Sequence, residues 1–285
     1  MRILLAQLAP VPGDLHANAE RLAAAVRTVR CDLAVFPELF LSGYRVGDRF
    51  HQLALKEGDR TVSALRRLAH ETGTTLVVGA PVASTERSGE IHNAALAVPP
   101  EGEHRVQVKR YLPTFGPFEE GVQFTPSDRS VPVRLAGASV GLEICYDTFF
   151  PEVSRQLALG GAELLVVISA SPVTSGRLFE RLLPARAIEN AVPVVYVNRV
   201  GVEDGVVFGG GSAAWDARGE LIPTTPVAFA PAAPEESLAL LEVDIAEAAR
   251  WRPFRPVLRD VAGRPGAAAE GPSHSETRSI PTRPL

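Results

Sequence analysis

The sequence predicts an α/β fold in which two β-sheets pack face to face and helices cover both outer faces. Two observations support this prediction. Short apolar runs of strand length alternate with amphipathic helical segments along the chain, which is the pattern of layered α/β domains. The two halves of the chain also share a similar order of strands and helices, without a close sequence repeat. A single doubly wound sheet is the second choice.

Ten of the apolar runs are bounded by glycine, proline or aspartate, and many are rich in β-branched residues, which indicates strands. They are Arg2–Leu8, Leu33–Phe36, Thr75–Val78, Ala94–Val98, Val131–Leu135, Ser139–Ile144, Leu164–Ile168, Val194–Val197, Ser212–Trp215 and Ala239–Val243. A shorter β-like stretch, Val106–Val108, precedes a loop rich in proline and glycine.

Four segments have helical patterns. They are Ala17–Arg30, Thr61–Thr72, Phe150–Leu159 and Leu178–Asn190. The second of these is followed by Gly73, a residue typical of helix C-caps. Residues 261–285 are rich in Gly, Ala, Pro and Ser and have no apolar periodicity. We therefore expect a single domain over residues 1–260 and a loose C-terminal tail over residues 261–285.

The composition excludes several classes of function. The net charge of −4 provides no basic field for nucleic acid, and no apolar run approaches the length of a bilayer span. The N-terminus also lacks the pattern of a signal peptide. Two cysteines without a CxxC motif, and six dispersed histidines, predict neither a disulfide framework nor a metal site. We expect a cytoplasmic protein without a metal or organic cofactor, and without a nucleic-acid or membrane partner.

Three reactive side chains each follow a predicted strand at the point where that strand ends. Glu38, Lys109 and Cys145 are these residues. Folds of the α/β class place reactive groups at the carboxyl ends of strands. Taken singly, each also has an ordinary explanation, as a helix-start acid, a loop lysine or a buried thiol.

The rarity of lysine in this chain supports a functional role for Lys109. Of the 29 basic residues, 27 are arginine and only Lys56 and Lys109 are lysine. A lysine that is kept in an arginine-rich chain suits a site that needs a compact ammonium, where a planar guanidinium would not fit.

Together the three side chains supply what covalent catalysis by a thiol requires. A cysteine with an ordinary pKa of about 8.5 is mostly protonated at neutral pH, so it needs a nearby base. A partly buried glutamate can be that base, and a fixed ammonium can stabilise both a thiolate and a developing oxyanion. The combination predicts Cys145 as nucleophile, Glu38 as base and Lys109 as the stabilising cation.

The segments around these residues resemble the carbon–nitrogen hydrolase, or nitrilase, superfamily. FPELFLSGY resembles its glutamate motif, VKRYLPTFGPFEE its lysine motif and GLEICYDTFFPE its cysteine motif. The resemblance covers roughly residues 1–260 and implies a four-layer αββα sandwich. Members usually pair into αββα–αββα dimers, so the resemblance also implies a homodimer or a higher homo-oligomer.

The resemblance implies roles for further residues. Glu120 matches the additional glutamate that orders the lysine and the bound substrate, and Glu119 beside it is an alternative. Ser171 resembles a serine that contacts substrate, and Phe115 and Tyr146 are expected to line the substrate site. The remaining expectations are pocket-wall positions for Tyr44 and Arg177 and a core position for Cys31.

Within the superfamily, several segments look most like the glutaminase domain of glutamine-dependent NAD synthetase. They are LAQLAPVPGDLHANAERL, SASPVTSGRLFER and VNRVGVEDGVVFGGGS. Tyr146 departs from that domain, which typically has an acidic residue there to hold the α-ammonium of glutamine. Phe115 stands where those domains usually have tyrosine, and no synthetase domain follows in the sequence. We therefore expect a stand-alone amidase.

The expected reaction is hydrolysis of a small primary amide to the acid and ammonia through a thioester on Cys145. Lys109 and the backbone N–H of Tyr146 would hold the oxyanion. Three alternatives use the same Glu-Lys-Cys triad: a glutaminase subunit that supplies ammonia to a synthetase, a nitrilase, and an N-carbamoyl amidohydrolase. A binding protein that kept the fold and lost activity is a fourth alternative.

Overall fold

Two β-sheets form the centre of the molecule in a computed structural model that describes residues 1–262. Along these residues the strands are β1 (Arg2–Gln7), β2 (Leu33–Val35), β3 (Thr75–Ala83), β4 (Ile91–Val98), β5 (Arg105–Val108), β6 (Val133–Leu135), β7 (Ala138–Ile144), β8 (Leu164–Ser169), β9 (Val194–Asn198), β10 (Val200–Glu203), β11 (Val206–Gly209), β12 (Ala213–Trp215), β13 (Thr225–Val227) and β14 (Ser237–Glu242).

Helices lie between and after these strands. They are α1 (Leu15–Val26), α2 (Phe50–Leu53), α3 (Arg60–Thr72), α4 (Glu120–Gln123), α5 (Pro151–Leu159), α6 (Gly176–Asn190), α7 (Glu247–Trp251) and α8 (Val257–Ala262). Three short 3₁₀ turns cover Gly47–Arg49, Cys145–Phe149 and Val173–Ser175. The predicted tail, residues 261–285, lies outside the described residues except for its first two positions, which end α8.

The first sheet has seven strands in the order β13-β14-β1-β2-β3-β4-β5, and the second has five in the order β12-β9-β8-β7-β6. Strands β1, β2 and β3 are parallel, as are β7, β8 and β9, whereas the outer strands of both sheets pair antiparallel. The predicted two-sheet sandwich is confirmed, and the alternative of a single doubly wound sheet is wrong.

Alternate residues of the central strands explain why the sheets stack. In β1, Ile3 and Leu5 pack with residues of the second sheet such as Val166 and Ile168 to form the sandwich interior. The intervening residue Leu4 points to the opposite face of the first sheet, where α1 and α3 cover it. Apolar side chains on both faces therefore fix four layers, with α5 and α6 covering the second sheet.

Two of the longer helices, α1 and α3, begin at an aspartate whose side chain accepts a hydrogen bond from a terminal N–H group. The Asp14 side chain accepts a hydrogen bond from the Ala17 N–H at the start of α1, and Asp59 caps α3 in the same way. Helix α3 ends at Gly73, which has a φ of 67°. The first helix therefore begins two residues before the predicted start at Ala17 and ends four residues before the predicted end.

The sequence interpretation missed one hairpin that borders the site. Strands β10 and β11 pair antiparallel around Asp204 and Gly205, which both have positive φ, at 46° and 75°. An Asp-Gly pair between short apolar runs is a strong hairpin signal, because this turn type requires positive φ at both central positions. The signal was present in the sequence, but the two strands of four residues each are too short to show clear alternation.

Candidate active site

The three predicted reactive residues lie at strand ends from both sheets. Glu38 follows β2 and Lys109 follows β5 in the first sheet, while Cys145 follows β7 in the second. Glu38 and Lys109 are fully buried, and Cys145 is partly exposed. Cys145 is therefore the least buried residue of the three, and the two charged groups are shielded from solvent.

The turn that contains Glu38 packs unusually close to β3. Leu39 has a φ of 49°, a conformation that residues with side chains rarely adopt. A Cβ atom at Gly79 of β3 would lie 2.3 Å from the Leu39 nitrogen and 2.5 Å from the Glu38 Cα. Glycine at position 79 thus permits the approach that brings Glu38 into the site.

Lys109 bridges two buried carboxylates. Its Nζ lies 2.6 Å from Glu38 Oε1 and 2.8 Å from Glu120 Oε1. Asn93 of β4 donates from Nδ2 to Glu38 Oε1 at 2.8 Å and to Glu120 Oε2 at 3.1 Å. The structure therefore brings Glu120, and not the exposed Glu119, to the lysine.

The second oxygen of Glu38 is held by the other sheet. Its Oε2 accepts a hydrogen bond of 2.8 Å from the N–H of Ala170, which lies just after β8. With one oxygen on Lys109 and the other on Ala170, the carboxylate has a fixed orientation. Glu38 thereby links the edges of the two sheets.

Cys145 lies at a sharp bend between β7 and a 3₁₀ turn. Its φ of 48° is rare for a residue with a side chain, and such strain costs about 1–3 kcal/mol. Ile144 pairs in register with Ile168, so the next residues along these parallel strands, Cys145 and Ser169, are neighbours. Ser169 is fully buried beside Cys145.

The charges of the cluster determine its resting protonation. Partial burial and the Glu38 carboxylate raise the pKa of Cys145, and the Lys109 ammonium opposes them only in part. Burial alone would lower the pKa of Lys109, but Glu120 and Glu38 outweigh it and hold that pKa above its ordinary value. At neutral pH the thiol is therefore protonated and the lysine charged, so attack by sulfur requires a proton acceptor.

Glu120 titrates at a different pH from an ordinary glutamate. Burial, with the nearby Glu38 charge, raises its pKa from 4.5 to about 7, although Lys109 and a hydrogen bond from Tyr44 act in the opposite direction. The Tyr44 phenol donates that short hydrogen bond to Glu120 Oε1. Tyr44, expected at the pocket wall, therefore belongs to the charged cluster itself.

A cluster of aromatic rings surrounds Tyr146. The rings of Phe115 and Tyr146 lie 5.3 Å apart, and Phe115 is 54% exposed. Tyr146 also contacts Phe149 and Phe150, with ring centroids 5.4 Å and 5.1 Å away. Phe115 and Tyr146 are thus in contact within an uncharged aromatic cluster, and Tyr146 directly follows Cys145 in the chain.

Of the other predicted residues, some are buried and one is exposed. Ser171 is buried, its N–H donates to Asn198 Oδ1 at 2.8 Å, and its hydroxyl has no partner among residues 1–262. Arg177, expected at the pocket wall, is instead exposed near the start of α6. Cys31 lies in the core between the first sheet and its helices, as expected.

The sequence interpretation missed Asn93 and Glu203. Asn93 has no local motif, because it and His92 are the two polar positions of an otherwise apolar strand. Glu203 accepts hydrogen bonds from the backbone of the Tyr44 loop across 159 residues, and nothing near either residue in the sequence indicates that contact. In the part of the chain that the structure describes, no group of three or more His, Cys, Asp or Glu side chains is arranged to hold a metal ion.

Comparison with known proteins identifies the family of this fold and site. Residues 2–253 match the carbon-nitrogen hydrolase family. The chain belongs to this family. The predicted superfamily, the sandwich fold and the enzyme class, a carbon–nitrogen hydrolase with amidase relatives, are thereby confirmed.

Three members illustrate how close the similarity is. An (R)-stereoselective amidase from a Pseudomonas species is 37% identical over 225 residues, which cover 78% of this chain and 80% of the amidase. A glutamine-dependent NAD(+) synthetase from Thermotoga maritima is 36% identical over 78% of this chain, but the match covers only 39% of the synthetase. The solved amidase from Nesterenkonia sp. AN1 matches with a TM-score of 0.74 and 30% identity, over 90% of this chain and 98% of that one.

None of the helices within residues 1–262 combines the length and the apolar character needed to cross a bilayer.

Proposed function

We propose that this hydrolase cleaves the C–N bond of a small primary amide through a thioester on Cys145. The observation that supports this most strongly is the buried contact of Lys109 with Glu38 and Glu120, at 2.6 Å and 2.8 Å, beside a partly exposed thiol. A shielded carboxylate supplies the base that a protonated thiol requires, and a shielded ammonium supplies the charge that an oxyanion requires.

In the first half-reaction, Glu38 takes the proton of Cys145 while the sulfur attacks the amide carbonyl carbon. The resulting oxyanion is held by Lys109 and by the N–H of Tyr146. That N–H belongs to the first residues of a 3₁₀ turn, which have no acceptor inside the turn. Glu38 then returns the proton to nitrogen, the C–N bond breaks, and ammonia leaves an acyl thioester behind.

In the second half-reaction, Glu38 takes a proton from water, and the hydroxyl attacks the thioester carbonyl. The C–S bond breaks, the proton returns to sulfur, and the acid is released with the thiol restored. Glu38 can serve both steps because hydrogen bonds from Lys109 and Ala170 keep its orientation fixed. Nothing in either step requires a metal or an organic cofactor.

Related structures support a covalent step at the cysteine. In a glutamate-to-glutamine mutant of the Nesterenkonia amidase, one structure shows Michael addition of acrylamide at the active-site cysteine, and another shows covalent addition of the acetamide moiety of fluoroacetamide there. These adducts belong to that protein. They support the proposal here because this chain has a partly exposed cysteine at a bent strand end in the same fold.

Glutamine is the second candidate substrate, since NAD(+) synthetases are among the relatives. Against it, Tyr146 offers no formal charge to a substrate ammonium, and its ring is surrounded by Phe115, Phe149 and Phe150. This uncharged aromatic cluster favours a neutral amide with an aliphatic or aryl acyl group.

Ammonia release from a panel of amides, nitriles, carbamoyl compounds and glutamine tests the proposed function. We expect release from neutral primary amides, with an equal amount of the corresponding acid. Release from nitriles or carbamoyl compounds alone would reject the amidase proposal. The variant Lys56→Arg, at an exposed position outside the cluster, provides the control for handling and purification.

We also propose that the domain over residues 1–260 functions as a homodimer. Three large apolar side chains, Ile188, Leu221 and Phe254, are exposed by 43%, 65% and 79%, and a second copy of the chain could cover them. Light scattering should give twice the chain mass of 30.4 kDa. A monomer mass across micromolar concentrations would reject the dimer.

A cytoplasmic location is a further proposal. Its support is that both cysteines, Cys31 and Cys145, are free thiols, which a reducing compartment preserves. Fractionation of the native host should find the protein with cytoplasmic markers, and recovery with extracellular proteins would contradict the proposal.

A further inference from the structure

We propose that Glu203 is a positioning residue for this hydrolase: its buried carboxylate fixes the Tyr44 loop, so that the Tyr44 phenol holds Glu120 against Lys109. The inference rests on the proposed function for its catalytic consequence. Glu203 lies outside the three motifs that point to the reaction, on the β10–β11 hairpin.

The contacts of Glu203 join two distant parts of the chain. Its Oε2 accepts hydrogen bonds from the backbone N–H groups of Tyr44 and Arg45, both at 2.8 Å. Its Oε1 accepts a short hydrogen bond from the Arg199 guanidinium. One carboxylate thus satisfies two loop N–H donors and one buried cation.

Arg199 keeps this carboxylate in place. Its side chain is only 1% exposed, and its guanidinium carbon lies 4.0 Å from the centre of the Phe208 ring. A buried charge left without its partner is strongly destabilising, so the pair is maintained as a unit. Phe208 of β11 also contacts the Tyr44 ring at 5.9 Å, which adds an apolar contact to the same loop.

The loop can approach Glu203 because residue 43 has no side chain. Gly43 has a φ of 79°, and a Cβ atom there would lie 2.9 Å from the Pro12 Cα and 3.2 Å from Glu203 Oε1. A side chain would separate the loop from the carboxylate. The close packing indicates that the position of the loop is specified and not incidental.

Tyr44 transmits this position to the charged cluster. Its phenol donates to Glu120 Oε1, the same oxygen that lies 2.8 Å from Lys109 Nζ. Burial and the charges of Glu120 and Glu38 raise the pKa of Tyr44, so the phenol keeps its proton and remains a donor. The charged and titratable groups that face Glu120 are therefore Lys109, Glu38, Tyr44 and, beyond them, Cys145.

Loss of the Tyr44 hydrogen bond has a predictable electrostatic effect. Because that bond favours the ionised form of Glu120, its removal raises the pKa of Glu120 further. A protonated Glu120 no longer supports the Lys109 charge. The acid limb of the pH–rate profile should then move to higher pH, which a loss of general stability would not cause.

The experiment compares three variants: Glu203→Gln, Tyr44→Phe and the double variant. For each one, kcat, KM and the acid limb of the pH–rate profile are measured with the neutral amide that the wild type hydrolyses best. Asp204→Asn is the matched control, because Asp204 is the exposed neighbour in the same turn and pairs with Arg45 at 2.7 Å. We expect Glu203→Gln to lower kcat about tenfold, with a smaller change in KM. Its acid limb should move in the same direction as that of Tyr44→Phe.

The double variant shows whether Glu203 acts through Tyr44 or independently of it. If Glu203 acts through Tyr44, adding Glu203→Gln to Tyr44→Phe should change kcat and the acid limb little further. Additive losses, an unmoved acid limb, or wild-type behaviour of Glu203→Gln would each overturn the proposal. If Glu203→Gln folds poorly, Glu203→Asp replaces it. The shorter aspartate keeps a negative charge beside Arg199 but places its oxygens farther from the N–H groups of the Tyr44 loop.

A measurement without turnover distinguishes this proposal from the proposed function. The rate at which iodoacetamide alkylates Cys145, followed by peptide mass spectrometry against pH, reports the charges around the thiol. Glu203→Gln and Tyr44→Phe should move this profile equally, and Asp204→Asn should leave it unchanged. Absence of ammonia release by the wild type would reject the proposed function, whereas unequal shifts in alkylation would reject the positioning role.

Discussion

Lys109 experiences the tightest constraint of any single residue in the site. Its ammonium lies between two carboxylates, at 2.6 Å and 2.8 Å, in a position with no exposed surface. A guanidinium is planar and wider, so it cannot occupy this position without displacing Glu38 or Glu120. The retention of lysine in a chain with 27 arginines has this physical explanation.

Replacement of Lys109 by arginine should therefore be almost as damaging as replacement by alanine. We expect both variants to lower kcat/KM about a hundredfold or more, since one oxyanion donor contributes roughly 2.7–4 kcal/mol in other enzymes. Lys56→Arg, at an exposed position, is the matched control and should be silent. Equal tolerance of arginine at both positions would refute the role of Lys109.

We propose that Tyr146 disfavours a charged substrate. We expect a neutral amide to have a higher kcat/KM than glutamine, because a contact to a charged group contributes about 1.5–3 kcal/mol and Tyr146 supplies none. Tyr146→Glu should move the preference towards glutamine. The comparison is kcat/KM for both substrates on both proteins, and a wild type that strongly prefers glutamine would contradict this prediction.

At the scale of elements, Asp147 ties the lysine loop to the cysteine turn. Its Oδ1 accepts from the N–H groups of Arg110 and Tyr111 at 3.1 Å and 2.9 Å, and its Oδ2 accepts from Ile144 at 3.2 Å. The segments that follow β5 and β7 are thus joined through one buried carboxylate. No sequence motif for that contact exists, because it depends on how the two sheets stack.

The same carboxylate makes stability depend on pH. Burial raises the pKa of Asp147 from 3.8 to about 7, against the opposing charge of Lys109. The folded state therefore binds this proton more tightly than the unfolded state. The corresponding stability is fully present below pH 3.8 and is lost as the pH rises through about 7.

Asp147→Asn should remove this dependence. The variant loses an acceptor for the Ile144 N–H, so we expect lower stability than wild type throughout. The deficit should be largest near pH 4 and should shrink towards pH 7, because only the wild type titrates. Urea denaturation at several pH values measures it, with the exposed Asp128→Asn as control. A deficit that stays constant with pH would contradict the burial argument.

The sequence predicted those elements whose signal is local. Eleven strands, with β5 included, and four long helices were located because apolar periodicity and caps such as Gly73 act within a few residues. The β10–β11 hairpin, β13 and the short helices α2, α4, α7 and α8 were missed, since segments of three to six residues carry little periodicity. Motif resemblance predicted Glu38, Lys109, Cys145 and Glu120 together, whereas Asn93 and Glu203 contact residues that are distant in sequence.

At the scale of the molecule, the site depends on how the two sheets meet. Glu38 and Lys109 belong to the first sheet and Cys145 to the second, and the apolar interior between the sheets sets their relative position. The hydrogen bond from Ala170 to Glu38 crosses that boundary. The separation between Glu38 and Cys145 is therefore a property of the whole sandwich and not of either sheet alone.

Cys145 as the nucleophile is the central claim, and covalent trapping tests it most directly. Wild-type protein should be quenched during turnover of a neutral amide and digested, and its peptides should be analysed by mass spectrometry. We predict an acyl group on the peptide of Cys145 and none on that of the buried Cys31. Cys145→Ala should remain folded, release no ammonia and carry no adduct. An acyl group on Cys31, or ammonia release by Cys145→Ala, would contradict the mechanism.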